Sequence, residues 1–246
     1  MSRFFVLLPN FHHLETSIFL LGERIGSGRV GTVYAAILLT EDYTSVLPPL
    51  VVKISRRKHS MEKEAWFYEE LEQLQGIAVP LCYGFFQTRV EEGVEVSTWN
   101  DKNHVEQEEV DEWGFPVIKK EPEDPTLLSI LLLERLGWNI PLGYRDFDYS
   151  YIKADVYEIY SDLALVGIEH VDFRWSNILC VLECPEDGPS EPVCPNHGHA
   201  HAWRIIDLDL ARKTNLTIKG LENCIESHLR RLFNNAPWGI VLEPWE

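Results

Sequence analysis

Ile168-Glu169-His170-Val171-Asp172-Phe173-Arg174-Trp175-Ser176-Asn177-Ile178-Leu179 decides how this 246-residue chain is read. A histidine is followed two residues later by an aspartate. Five residues after that comes an asparagine, which opens an apolar strand. In this pattern Asp172 can orient and deprotonate an attacking hydroxyl, and Asn177 can hold a metal through its amide oxygen. Arg174 can neutralise charge on a transferring phosphoryl group. Further on, Arg204-Ile205-Ile206-Asp207-Leu208-Asp209-Leu210-Ala211 places Asp207 at the end of a short strand. A carboxylate there suits a Mg²⁺ ion that bridges phosphates.

Working back toward the N-terminus, Ile25-Gly26-Ser27-Gly28-Arg29-Val30-Gly31-Thr32-Val33 sits between two apolar runs. Glycines at this spacing let backbone approach phosphates with no Cβ in the way. A plain glycine-rich hairpin turn is the competing reading. Thr32 to Leu39 is apolar and β-branched early, so the loop leads into a strand rather than a helix. Val51-Val52-Lys53 then ends an apolar strand in a lysine, a candidate fixed charge for the α- and β-phosphates. Glu64, just ahead of the buried stripe of the next helix, is its candidate carboxylate. Glu62, Glu69 and Glu70 compete for that role, and Glu69 and Glu70 read as solvated.

The periodicities predict a hairpin over 18–39, a loop over 40–49 and a strand from Leu50 to Ile54. A helix follows from Ser60 to Leu74, with Ala65, Phe67, Tyr68, Leu71 and Leu74 inward and Trp66 on the core side or its edge. Gly76 stops that helix. Strands are expected over Val79–Phe86, Leu127–Glu134, Ile178–Leu182 and Arg204–Leu208, and helices over Ile152–Gly167 and Leu221–Phe233. This order, β-rich and then helical with short strands, predicts an α+β two-lobed protein. Residues 1–17 read as an N-terminal extension. Residues 91–124 carry twelve acidic side chains against three lysines, more than half of the chain's net charge of −17. They read as a solvated insertion, and Ile118-Lys119-Lys120-Glu121 within them matches a SUMO-acceptor pattern.

The hydrophobic share of 45% and the aromatic share of 11% describe a globular chain. Its acidity excludes a surface built to grip nucleic acid. Five cysteines, odd in number, fit a reducing compartment. No apolar run approaches the length of a membrane span, and the N-terminal patch, cut by Pro9 and His12-His13, is too short for a secretion signal. A soluble intracellular protein, cytoplasmic or nuclear, is expected.

From about Phe19 to Ala211 the chain resembles the eukaryotic-protein-kinase-like superfamily. It is most similar to small, divergent fungal kinase-like proteins, which share the Glu-x-x-x-Tyr…Leu-Gln-Gly…Pro…Tyr-Gly run present from Glu64 to Gly84. The resemblance implies a β-rich lobe with its hinge over 18–136 and a truncated helical lobe over 137–246. It implies ATP and Mg²⁺ as the bound groups and a hydroxyl acceptor. Ile25, Gly26, Gly28, Gly31 and Val33 would cover the nucleotide, with Val33 and Ala36 against adenine. Lys53 would pair with Glu64. Leu133-Glu134-Arg135-Leu136 would be the hinge, with Glu134 and Leu136 offering backbone to adenine. Asp172 would be the catalytic base, and Asn177 and Asp207 the metal ligands. Val171 stands where the family has arginine, and Asp209 where it has glycine. Thirty-nine residues follow Asp207, with no Ala-Pro-Glu motif.

Two classes of function follow. One is an ATP-dependent phosphotransferase, Ser/Thr protein-kinase-like or acting on a small molecule. The other is a pseudokinase scaffold that binds nucleotide. Retention of Lys53, Glu64, Asp172, Asn177 and Asp207 favours the first; Asp209 and the short C-terminal part favour the second. Separately, Cys184, Cys194, His197, His199 and His201 share one loop. They read either as zinc ligands or as an ordinary hydrophilic loop. Cys180 reads as core, and Trp238 and Trp245 as staples for the C-terminal tail.

Overall fold

The computed structural model describes residues 3–6, 17–28, 30–38, 48–90, 126–182 and 191–240. The acidic stretch 91–124, His12-His13, Cys184 and Trp245 lie outside the described residues. The chain is mixed α/β and separates into two compact units: Met1–Glu62 with Tyr83–Leu132, and Lys63–Cys82 with Leu133–Glu246.

The first unit is built on a six-stranded sheet. Its strands are β1 (Arg3–Val6), β2 (Ser17–Ser27), β3 (Thr32–Leu38), β4 (Leu50–Ser55), β5 (Cys82–Arg89) and β6 (Leu127–Glu134). The order is β1-β2-β3-β4-β6-β5. Successive side chains on a strand alternate between faces. Leu50, Val52 and Ile54 of β4 therefore meet Leu128, Ile130 and Leu132 of β6 in one apolar cluster, joined by Leu21, Tyr34, Ala36 and Phe86. Val33 on β3 and Lys53 on β4 take the other face. Ala36, expected against adenine beside Val33, instead takes the opposite face of the strand and packs, partly buried, against the apolar cluster.

Gly31 shows why the hairpin needs a glycine. A Cβ there would stand 2.4 Å from the Ile54 carbonyl oxygen on β4. At Gly26 and Gly28 a Cβ would meet nothing within 4 Å. Gly31→Ala is expected to destabilise the fold by about 1–3 kcal/mol, the cost of forcing apart packed atoms. Gly26→Ala and Gly28→Ala are expected to stay within about 0.5 kcal/mol of the parent. Denaturant midpoints of the three variants check this; equal midpoints would refute the close-approach argument.

α1 (Lys58–Glu70) continues into a 3-10 turn, Glu72–Leu74, and Gly76 follows at φ +72°. Ala65, Phe67, Tyr68, Leu71 and Leu74 are buried as their spacing predicts. Trp66, expected on the core side of the helix or at its edge, is 41% exposed, with the Lys213 ammonium 5.0 Å above its ring. The strand expected from Val79 starts at Cys82 instead. Residues 77–79 turn back on the helix end, with the Ile77 and Ala78 amides donating to the Leu74 carbonyl at 3.1 and 2.8 Å.

In the second unit α2 (Ser150–Leu165) buries Ile152, Val156, Ile159 and Leu163 on one stripe. α3 (Ile218–Asn235) buries Leu221, Ile225, Leu229 and Leu232. Its start, three residues before the expected one, is set by Thr217, whose Oγ1 accepts from the Gly220 amide at 3.2 Å. Two short ladders complete the unit: β7 (Ile168–Glu169) with β10 (Arg212–Lys213), and β8 (Ile178–Cys180) with β9 (Trp203–Ile205), both antiparallel. Cys180 is buried as expected. Trp238 is 58% exposed and lies against the Arg145 guanidinium at 4.5 Å. No helix among the described residues is long and apolar enough to cross a membrane.

Candidate active site

The second unit gathers the chemistry of the His170–Asn177 segment. β7 brings the chain in, and a 3-10 turn at Trp175–Asn177 turns it into β8. Asp172 lies between them, 4% exposed. Arg174 Nε donates to Asp172 Oδ1 at 2.6 Å. Asn177 Nδ2 donates to Asp172 Oδ2 at 3.0 Å and to the Asp172 carbonyl at 3.1 Å. Both carboxylate oxygens are thereby engaged, and the side chain is fixed in one orientation. The Arg174 contact was invisible in the sequence, where that residue read as a phosphoryl partner. The amide of Asn177, used twice as a donor, leaves Oδ1 with the Ser176 hydroxyl, 3.5 Å away.

The ladder register sets Asp207 beside this group. Ile178 pairs with Ile205, and the Ile206 amide donates to the Asn177 carbonyl at 3.0 Å. His170 Nε2 lies 3.0 Å from the Ile206 carbonyl and donates to it, so the same short strand is tied from both sides. Asp207, the next residue, has φ 64° and ψ 64°. Among the described residues it is the one non-glycine at positive φ. Such a conformation costs about 1–3 kcal/mol and persists where the surroundings impose it, commonly at functional positions. Asp209 follows in the 3-10 turn Leu208–Leu210 and is buried.

Packing fixes the loop from below. Phe173 stacks on Tyr160 of α2 at 4.3 Å and on His228 of α3 at 4.6 Å between ring centroids. Trp175 meets Phe233 edge-on at 5.1 Å. Burial pushes the His170 imidazole below its ordinary pKa, which keeps it neutral as the donor to Ile206; the nearby Asp172 and Asp207 charges work against this. Burial also pushes the Tyr68 phenol up, and the Glu64 and Asp207 carboxylates add to the shift. Glu64 and Asp207 thus act on the same buried phenol within this unit. Glu64 itself is 1% exposed, unlike Glu69 and Glu70 beside it.

In the first unit, Gly26 pairs with Val33 and Val33 with Lys53 across three adjacent strands. Antiparallel partners point to the same face, so the glycine loop, Val33 and the lysine form one row. Lys53 is 7% exposed, on the face opposite the apolar cluster. The Gly28 amide donates to the Gly31 carbonyl at 2.9 Å, closing the turn. Ile25 is exposed.

The segment 133–136 is held through Leu81. The Glu134 amide donates to the Leu81 carbonyl at 2.9 Å, and Glu134 Oε2 accepts from the Leu81 amide at 3.0 Å. Burial pushes this carboxyl up. Its side chain and its amide are therefore both committed to Leu81. Leu136 is buried.

The residues fit the two implied groups in two respects. Open space stands where Gly26 and Gly28 would carry a Cβ, as a phosphate cradle requires. Asn177 Oδ1 and the Asp207 carboxylate are oxygen donors, the set that Mg²⁺ takes.

No protein-family model matches the chain, and no curated protein matches it. Among solved structures it is similar to WaaP in complex with acyl carrier protein. The identity is 16% over 88% of this chain and 71% of that one, at a TM-score of 0.45.

Proposed function

We propose that the chain is an ATP-dependent, protein-kinase-like phosphotransferase that moves a phosphoryl group onto a hydroxyl. The observation that carries this reading is the clamped Asp172, gripped by Arg174 and Asn177 next to the strained Asp207. Burial alone requires donors for Asp172, but it does not require the adjoining backbone conformation of Asp207, which costs about 1–3 kcal/mol.

In this reading residues 18–136 are the β-rich lobe with its hinge, and 137–246 the helical lobe. Gly26, Gly28 and Gly31 supply backbone to the phosphates, with Ile25 and Val33 beside them. Lys53 fixes the α- and β-phosphates, and Glu64 is its carboxylate. Backbone of Glu134 and Leu136 receives adenine. Asn177 and Asp207 hold Mg²⁺, which when bound neutralises phosphate charge. Asp172 orients the acceptor hydroxyl and takes up its proton. Arg174 holds Asp172 in place and balances its charge, and through that position also screens the incoming phosphoryl group. Most of the rate comes from positioning and charge, since this reaction asks little covalent work of a protein.

The nucleotide-binding scaffold is the second reading, favoured by the buried Asp209 beside Asp207. Both readings require the nucleotide site. Mg·ATP is expected to raise the melting temperature of the protein, and Lys53→Met and Asp207→Ala are each expected to abolish that rise. Stabilisation of both variants as strong as in the parent would overturn the site.

A further inference from the structure

The second unit carries a group of metal-binding side chains that takes no part in the chemistry proposed above. Cys194, His197 and His201 lie in the turn before β9, and Asp162 lies on the last full turn of α2. Their ligand atoms all fall within 4.8 Å of one another. Cys194 Sγ is 3.1 Å from Asp162 Oδ2 and 3.3 Å from His197 Nδ1. His197 Nδ1 is 3.5 Å from Asp162 Oδ1, and His201 Nε2 is 3.6 Å from Asp162 Oδ2. A tetrahedral zinc ion with bonds of about 2.0–2.3 Å requires ligand-to-ligand edges of roughly 3.3–3.6 Å. The four side chains stand close to those spacings.

A second observation points to a ligand. His201 is 1% exposed, and its Nε2 has no hydrogen-bond partner while facing into the group. At 3.6 Å the Asp162 oxygen is beyond hydrogen-bond length. A buried imidazole nitrogen aimed at a thiol and a carboxylate, at ion-pair distance from the carboxylate but short of hydrogen-bond contact, is the arrangement a cation completes.

The outer contacts agree. His201 offers its other ring nitrogen, Nδ1, to Asp155 Oδ1 at 2.5 Å. This carboxylate–histidine pairing orients metal-binding imidazoles and raises their basicity. Asp162 Oδ1 accepts from Asn196 Nδ2 at 2.8 Å, which fixes the carboxylate. The Cys194 carbonyl accepts from the Gly198 amide at 2.8 Å, closing the turn that sets Cys194 and His197 side by side. Cys-x-x-His-x-x-x-His from one loop has the short intervals of structural zinc sites. One thiolate, one carboxylate and two neutral imidazoles balance a divalent charge in a site where Cys194 and Asp162 are fully buried.

We propose that Asp162, Cys194, His197 and His201 form a structural zinc site that ties the loop before β9 to α2. The mixed sulfur, nitrogen and oxygen set selects Zn²⁺ over Mg²⁺ or Ca²⁺. Asp155 is a positioning residue for His201. A neighbouring group, Asp155, Glu158, His199 and His201, is the alternative location. It is more exposed, with His199 side chain 49% accessible, and contains no thiolate. This proposal is independent of the phosphotransferase reading, because no residue is shared.

The test is titration of the metal-free full chain with Co²⁺ and then Zn²⁺. Expected are one equivalent bound, the intense visible bands of tetrahedral Co²⁺, a thiolate-to-cobalt charge-transfer band, and bleaching of both by Zn²⁺. These spectra come from the parent protein and so do not depend on any variant folding. Cys194→Ser is expected to lose the charge-transfer band, and His201→Gln to weaken Zn²⁺ binding at least 10-fold. His199→Gln is expected to keep both. Zn²⁺ should also raise the parent's melting temperature. No binding of either ion, a bound Co²⁺ without a thiolate band, or a band that survives Cys194→Ser would each overturn the site. Loss in His199→Gln alone would place any metal in the neighbouring group and equally overturn it.

Discussion

Asp172→Asn is expected to lower Mg·ATP turnover by about 10²–10⁴-fold, the usual contribution of a positioned base. Stabilisation by Mg·ATP should persist. The two effects separate because Asp172 handles the acceptor, whereas the nucleotide rests on the glycine loop, Lys53, Asn177 and Asp207. The substitution removes a charge and reverses one hydrogen bond. Asp172 Oδ1 accepts from Arg174 and Oδ2 accepts from Asn177. An asparagine can keep one of these, but its amide NH₂ then faces the other donor. Release of ADP, with water or the protein itself as acceptor, measures turnover without any guess about the substrate. Equal turnover in parent and variant would rule out Asp172 as the base. Absence of turnover in the parent, with Mg·ATP still stabilising it, would favour the scaffold.

Arg204→Leu is expected to give the largest loss of stability, roughly 3 kcal/mol or more. Arg204 is the largest fully buried side chain among the described residues. Its guanidinium donates to the carbonyls of His201 at 2.8 Å, Trp203 at 2.9 Å and Gly76, and to Glu191 Oε2 at 3.0 Å. One side chain thereby joins the turn after α1, the loop carrying His201 and the start of β9. Leucine fills the space but donates nothing, so three carbonyls lose their partner at about 1 kcal/mol or more each. Glu191, part exposed, can find water. Arg204→Lys should rescue little, because an ammonium cannot reproduce the planar fork that serves several acceptors at once. In a chain of this size the leucine variant should melt about 6–12 °C lower. A melting temperature within 2 °C of the parent, on the order of 0.5–1 kcal/mol, would show that the network does not hold the unit together.

The two predictions differ in how much of them the sequence reveals. Asp172 stood out at once, because a His-x-Asp pattern with an asparagine five residues later lies within one loop and needs no folding to be seen. Arg204 read only as the first residue of a short strand. Two of its acceptors, His201 and Trp203, are chain neighbours, but Gly76 and Glu191 come from separate segments that no local spacing encodes. The same distinction runs through the fold. Leu127–Glu134 is a strand with the boundaries expected, since an unbroken apolar run between turns leaves little choice. The segment 77–79 is equally apolar and became a turn, because the Leu74 carbonyl captured its amides. Ala36 packs against the apolar cluster rather than beside Val33, because strand parity sets which face it takes.

By itself the sequence determined the glycine hairpin, the strand that carries Lys53, the strand Leu127–Glu134 and the helices, and it marked Asp172, Asn177 and Asp207 as candidates. Each is a local pattern, in which neighbouring residues along the chain already carry the chemistry. Only the tertiary structure decided that Arg174 grips Asp172, that Asp207 sits in a left-handed conformation, and that Asp162 on α2 completes a group with Cys194, His197 and His201. Asp162 is separated from Cys194 by 32 positions along the chain. The physical reason is the same in each case: contacts between distant segments depend on strand register, helix phase and burial, which are settled only when the whole unit packs.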